Sequence, residues 1–171
     1  MHATDTTVRF ALLMTFILAS APTFADVDIN HKEFLLKLAG DWVQRKTDDK
    51  DQFVVRSAKN NSQVTVSILM ARFPSAKLKE VAQKFLQSRE RAEHIDASRK
   101  VELVNKRVEP EREMYKVSYS GTDNRGRQFR FVGYVTTVKV LSFYCETLDR
   151  DALFGQNAFD EAFKGFKFYV P

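Results

Sequence analysis

Few residues of this chain have side chains that could do chemistry. Of three histidines, His2 lies in the leading segment. His31 and His94 each sit in a stretch read as helix, with no second histidine at ligand spacing. A metal centre or a histidine-based triad has little to build on. Cys145 is the single cysteine, so an intramolecular disulfide framework and every multi-cysteine zinc or iron–sulfur pattern are excluded. It stands between Tyr144 and Glu146, in phase with Leu141 and Phe143, which reads as a buried structural thiol rather than a nucleophile. Asp48-Asp49-Lys50-Asp51 and Asp149-Arg150-Asp151 are acidic, but neither has the spaced oxygen ligands, central glycine and closing glutamate of a helix-loop-helix calcium loop. They read as solvated turns. No glycine-rich phosphate loop, G-x-S-x-G elbow or H-E-x-x-H helix occurs, so the sequence leads to no catalytic residue, no metal and no cofactor.

What remains is basic. Arg125, Arg127 and Arg130 surround a polar hairpin loop spanning 121–127. Hairpin loops project from a rigid sheet, and the planar fork of arginine matches carboxylates better than lysine does. These three are the candidate partner contact; the competing reading is that they keep a loop soluble.

The elements that must hold these residues follow a leader. Over residues 1–25 a single Arg9 precedes an apolar stretch without charges, residues 10–19, and then Pro22. Small residues Thr23 and Ala25 occupy the −3 and −1 positions of a signal-peptidase site, so cleavage is expected before Asp26. A transmembrane span needs about 20 apolar residues, twice this run. No cysteine follows the cut and no twin-arginine pair precedes the run, so a soluble periplasmic or secreted protein is expected, without lipid anchor or preloaded cofactor. Removing the leader, with its Asp5 and Arg9, leaves the net charge at +5. In an exported chain such basicity suits anionic partners better than nucleic acid; interleaved runs such as Arg89-Glu90-Arg91 also fit a plain solvated surface.

The rest, residues 26–171, has the length of one domain. The full chain has 44% hydrophobic and 29% charged residues, 6 glycines and 4 prolines, so it must fold around a real core. Phe34, Leu35 and Leu38 at helical spacing before Gly40 predict a short helix over 31–39. Strands are expected over 52–58 and 63–73, joined by the asparagine turn 59–62. Leu78, Val81, Ala82, Phe85, Leu86, Ala92 and Ile95 recur in steps of three and four, interrupted by Arg89, and predict the main amphipathic helix over 76–98. Period-two patterns then predict antiparallel strands over 101–108, 114–120, 128–136 and 140–146. Phe159, Phe163 and Phe166 predict a second helix over 157–168, finishing as an apolar tail. The expected core is Trp42, Val66, Ile68, Val81, Phe85, Phe131, Phe143 and Phe163.

Gly40-Asp41-Trp42 resembles the G-x-W opening of lipocalins, but the helix over 76–98 interrupts the strands where an up-and-down barrel needs another hairpin. A broader resemblance covers nearly all of residues 26–171: a tryptophan after a short leading segment, a β-meander, a central helix, three antiparallel strands, then Leu141-Ser142-Phe143-Tyr144-Cys145-Glu146 and Gly165-Phe166-Lys167-Phe168. In this order and pattern the chain resembles the PsbP-like superfamily, including DcrB-type exported bacterial proteins, with Gly165 where a serine is usual. The resemblance implies an α+β fold, an antiparallel sheet packed with amphipathic helices in an α/β/α sandwich, and brings no active-site residues.

The functional expectation is a small exported, non-catalytic binding or accessory protein whose partner is another protein. An immunity protein against a periplasm-acting toxin is one specific form. One alternative is a carrier of a lipid or other small apolar ligand, with Phe129, Phe131, Tyr134 and Phe143 lining a closed cavity. Another is an enzyme whose polar cluster is assembled from distant strands.

Overall fold

The computed structural model describes residues 26–57, 61–147 and 152–169, with side chains from 157 onward in the last stretch. The expected leader over 1–25, residues 59 and 60 of the turn over 59–62 and the acidic triplet over 149–151 lie outside the described residues.

Alternating apolar residues build a seven-stranded antiparallel sheet. Its strands are β3 (Trp42–Arg45), β4 (Gln52–Ser57), β5 (Ser62–Met70), β6 (Val101–Glu111), β7 (Met114–Asp123), β8 (Gln128–Val135) and β9 (Lys139–Thr147), in the order β3-β4-β5-β9-β8-β7-β6. Because strand side chains alternate between faces, the sheet feeds two cores. On one face Val117, Tyr119, Phe129, Phe131, Val135 and Val140 meet helix α1 (Leu78–Glu93) through Leu78 and Ala82. On the other, Val64, Val66, Ile68, Val132, Leu141, Phe143 and Cys145 meet a second layer. That layer is helix α2 (Ala152–Lys164) beside a small sheet of β1 (Val27–His31), β2 (Phe34–Leu38) and β10 (Phe166–Phe168), in the order β1-β2-β10. The fold is α+β in three layers.

Three expected elements change. Residues 31–39 form the β1–β2 turn and strand β2 instead of a helix. Phe34, Leu36 and Leu38 all point into the core, at 0%, 0% and 4% exposure. The leucine-rich run suits a helix locally, but burial of one strand face between β1 and β10 outweighs propensities worth a few tenths of a kcal/mol per residue. The second helix ends at Lys164, and Phe166–Phe168 form β10 against β2. Gly165 permits this close approach, since a Cβ there would stand 1.8 Å from the Lys37 carbonyl oxygen. Helix α1 also stops at Glu93, short of 98: Ile95 finds no cover, at 82% exposure, and Asp96 closes a turn by accepting from the Ser98 N–H at 3.0 Å and its hydroxyl at 2.6 Å. Of the expected core, Trp42, Val66, Ile68, Phe131 and Phe143 are buried, while Val81, Phe85 and Phe163 are partly buried at its margin.

Candidate functional site

The β7–β8 turn is organised by Asp123. Its Oδ1 accepts the backbone N–H groups of Arg125 at 2.9 Å and Arg127 at 3.1 Å, and Gly126 closes the turn with φ of +83°. Its Oδ2 accepts Nε and Nη2 of Arg99 at 3.0 and 2.7 Å, and Nε of Arg127 at 3.2 Å. Burial would raise the Asp123 carboxyl, but the hydrogen bonds from Arg99 and from the backbone of Arg127 and Arg125 outweigh it and hold the group below its ordinary value.

Arg127 is the centre of the site. Besides Asp123 it donates from Nη1 to the Tyr144 hydroxyl at 2.9 Å and to Glu146 at 3.0 Å, and from Nη2 to Glu93 at 3.1 Å. Its guanidinium lies 4.4 Å from the Phe129 ring centroid. Burial alone would lower Arg127; Tyr144 and the carboxylates of Glu146 and Glu93 instead raise it, so its charge is permanent. Glu93, the last residue of α1, also accepts from the Tyr119 hydroxyl at 3.1 Å, and Glu146 accepts from Gln63 at 3.2 Å. Burial, reinforced by Glu93, pushes the Tyr119 and Tyr144 hydroxyls well up, so both remain donors at neutral pH.

Around this cluster opens a cleft. One part, about 340 Å³, is lined by Arg89, Glu93, Ile95, Arg99, Arg127 and Tyr144. A second, about 210 Å³, shares Arg99, Arg127 and Glu146 and extends to Arg56, Asn61 and Gln63.

The three arginines expected to form one contact are separated. Arg125 is exposed on the turn, donating to the Ser98 hydroxyl at 2.6 Å. Arg127 is 7% exposed and therefore a framework residue, which corrects its reading as a surface contact. Arg130 points to the opposite face of the sheet, pairing with Asp160 at 3.3 Å over the Phe159 ring. Their spacing carries this separation, because Arg127 and Arg130 differ by an odd number of positions and residues so spaced along an alternating strand point to opposite faces. Sequence reasoning missed Arg89, Glu93, Arg99, Asp123 and Glu146. One signal was present: Arg89 and Glu93 are one helical turn apart on or beside the apolar stripe of α1.

The four rings expected to line one ligand cavity are also divided. Phe129 and Phe131 pack with α1, whereas Tyr134 and Phe143 pack with the other layer. Burial pushes the Cys145 thiol up to about 12. His31 accepts the Glu33 N–H and packs against Phe34 and Phe53, and exposed His94 bonds the Glu90 carbonyl.

No protein-family model and no curated protein matches the sequence. Among solved structures the chain is similar to the solution structure of cyanobacterial PsbP (CyanoP) from Synechocystis sp. PCC 6803, with a TM-score of 0.59 over 88% of this chain and 96% of that one. The fold is PsbP-like. Identity to that structure is 17%, so the likeness is one of backbone path.

Proposed function

We propose that this chain is a small exported, non-catalytic binding or accessory protein of the DcrB type, acting in the periplasm through contact with another protein. Neutralising a periplasm-acting toxin, as an immunity protein, is the specific form to test first. The observation that supports this reading best is the end of α1. There Ile95 stands 82% exposed beside Asp96, Ser98 and Arg125, on a turn clamped from beneath by the buried Arg127 cluster. An exposed aliphatic side chain with polar groups around it on a rigid base offers a partner a small apolar contact inside a polar rim. Export is supported by the basic residue, apolar stretch and small −3 and −1 residues of the leader.

The test is affinity capture from periplasmic extract with the wild type and with Ile95→Asp and Arg125→Glu variants, followed by reconstitution with the purified partner. A partner retained by the wild type and lost by both variants is expected. Equal capture by all three would move the interface elsewhere. A toxin encoded beside this gene would single out the immunity role, and N-terminal sequencing should begin at Asp26.

A further inference from the structure

The hydrogen-bonding capacity left over in the cleft at the end of α1 is one-sided. Its carboxylates are occupied. Asp123 accepts from Arg99, Arg127 and two backbone N–H groups, Glu93 from Arg127 and Tyr119, Glu146 from Arg127 and Gln63, and Asp96 from Ser98. The guanidiniums are not. Arg99 places Nε and Nη2 on one oxygen of Asp123, so Nη1 has no partner among the described residues. Arg89 stands 3.7 Å from Glu93, beyond hydrogen-bond reach. It is held by the faces of Phe131 and Tyr144 at 5.0 and 5.8 Å, and its Nε is buried without a partner. Exposed Arg56 makes no ion pair with any described carboxylate. Unpartnered donors remain, and they line two adjoining pockets, Arg89 in one and Arg56 in the other, that share Arg99.

We propose that this cleft binds an oxyanion, a carboxylate or phosphate group, with Arg99 as the central donor and Arg89 and Arg56 closing on it from either side. Arginine forks match the planar edge of such groups with paired, charge-assisted hydrogen bonds. The buried Arg127 is neutralised by Glu93, Asp123 and Glu146 and serves as the rigid base of the cleft, so the attraction for an anion falls to Arg99, Arg89 and Arg56. A space of about 340 Å³ suits a small group or the acidic end of a larger ligand, and Ile95 at the rim offers an apolar contact to whatever carries it. That the carrier is a protein rests on the contact surface proposed above; the oxyanion site itself rests on the donors.

The experiment titrates the full chain, at constant ionic strength and pH, with inorganic phosphate in one arm and N-acetylglutamate in another, following the arginine Nε–H resonances by NMR. Saturable shifts at Arg99 and Arg89 are expected, with a Kd on the order of millimolar. Arg56→Gln and Arg89→Gln should each weaken binding about tenfold, the low end of the effect of losing one charge-assisted contact, with the folded spectrum retained. Arg107→Gln, on the other face of the sheet, should bind as the wild type. Tighter binding of phosphate or of the carboxylate identifies which oxyanion the site prefers. No saturable shift in either arm, or unchanged binding in both Arg56→Gln and Arg89→Gln, overturns the proposal. If a protein partner is captured through Ile95 while neither probe binds, the contact reading stands without the anion site; probe binding without capture gives the converse.

Discussion

Replacing Arg127 by methionine removes the side chain that joins α1, the β7–β8 turn and β9. Methionine keeps most of the volume, so the loss is one of charge and hydrogen bonds. Arg127 donates to Asp123, Tyr144, Glu146 and Glu93 at 2.9 to 3.2 Å, with 8% of its side chain exposed. Breaking a buried pair from one side typically costs about 3–5 kcal/mol, because the partner is left as an uncompensated buried charge. Asp123 keeps Arg99 at 2.7 Å and Glu146 is 26% exposed, so neither is stranded. Glu93, at 7% exposure, keeps the Tyr119 hydroxyl but only a distant Arg89. The cost therefore falls at the lower end, about 3 kcal/mol. Adding Glu93→Gln to Arg127→Met should recover part of it, since a neutral amide is cheaper to bury than an unpaired carboxylate, giving a coupling of about 1–2 kcal/mol. Urea unfolding followed by the fluorescence of buried Trp42 measures both. A loss under about 1 kcal/mol, or additivity of the two substitutions within about 0.5 kcal/mol, would refute the view that Arg127 and Glu93 form one buried unit.

Gly165→Ala should destabilise by about 2 kcal/mol or more, since the new methyl would collide with the Lys37 carbonyl; calorimetry checks it, and an unchanged melting temperature would place the β2–β10 contact elsewhere. Phe85→Ala, at a half-buried site packed on Phe131, should cost about 2 kcal/mol, below the 3–5 of a fully enclosed aromatic, by urea unfolding. Cys145 should resist iodoacetamide in the native protein up to about pH 9, its thiolate being suppressed by burial, and react once urea unfolds the sheet. Asp123 is held below its ordinary value, so its contribution is present above the unfolded carboxyl pKa of about 3.9 and is lost as pH falls through the lower folded value. Asp123→Asn should accordingly flatten the acid limb of the stability–pH curve.

Much of the frame was legible in the sequence. The strands of the large sheet announce themselves by alternation, as in Phe129, Phe131 and Val135 against Val132 and Tyr134. The step pattern from Leu78 to Leu86 could only be an amphipathic helix. The buried character of Cys145 followed from its phase with Leu141 and Phe143. These are local signals, set by the geometry of one element and its single buried face. Two things were decided only in three dimensions. Residues 34–38 become a strand because Phe166–Phe168, about 130 positions away in the chain, pair with them. The charged cleft exists because Glu93, Arg99, Asp123, Arg127 and Glu146 arrive from four separate segments, and the one spacing that hints at it is Arg89 a helical turn before Glu93. An isolated charge in a sequence reads as solvated surface. Tertiary packing decides whether water is excluded around it, and with that whether it needs partners.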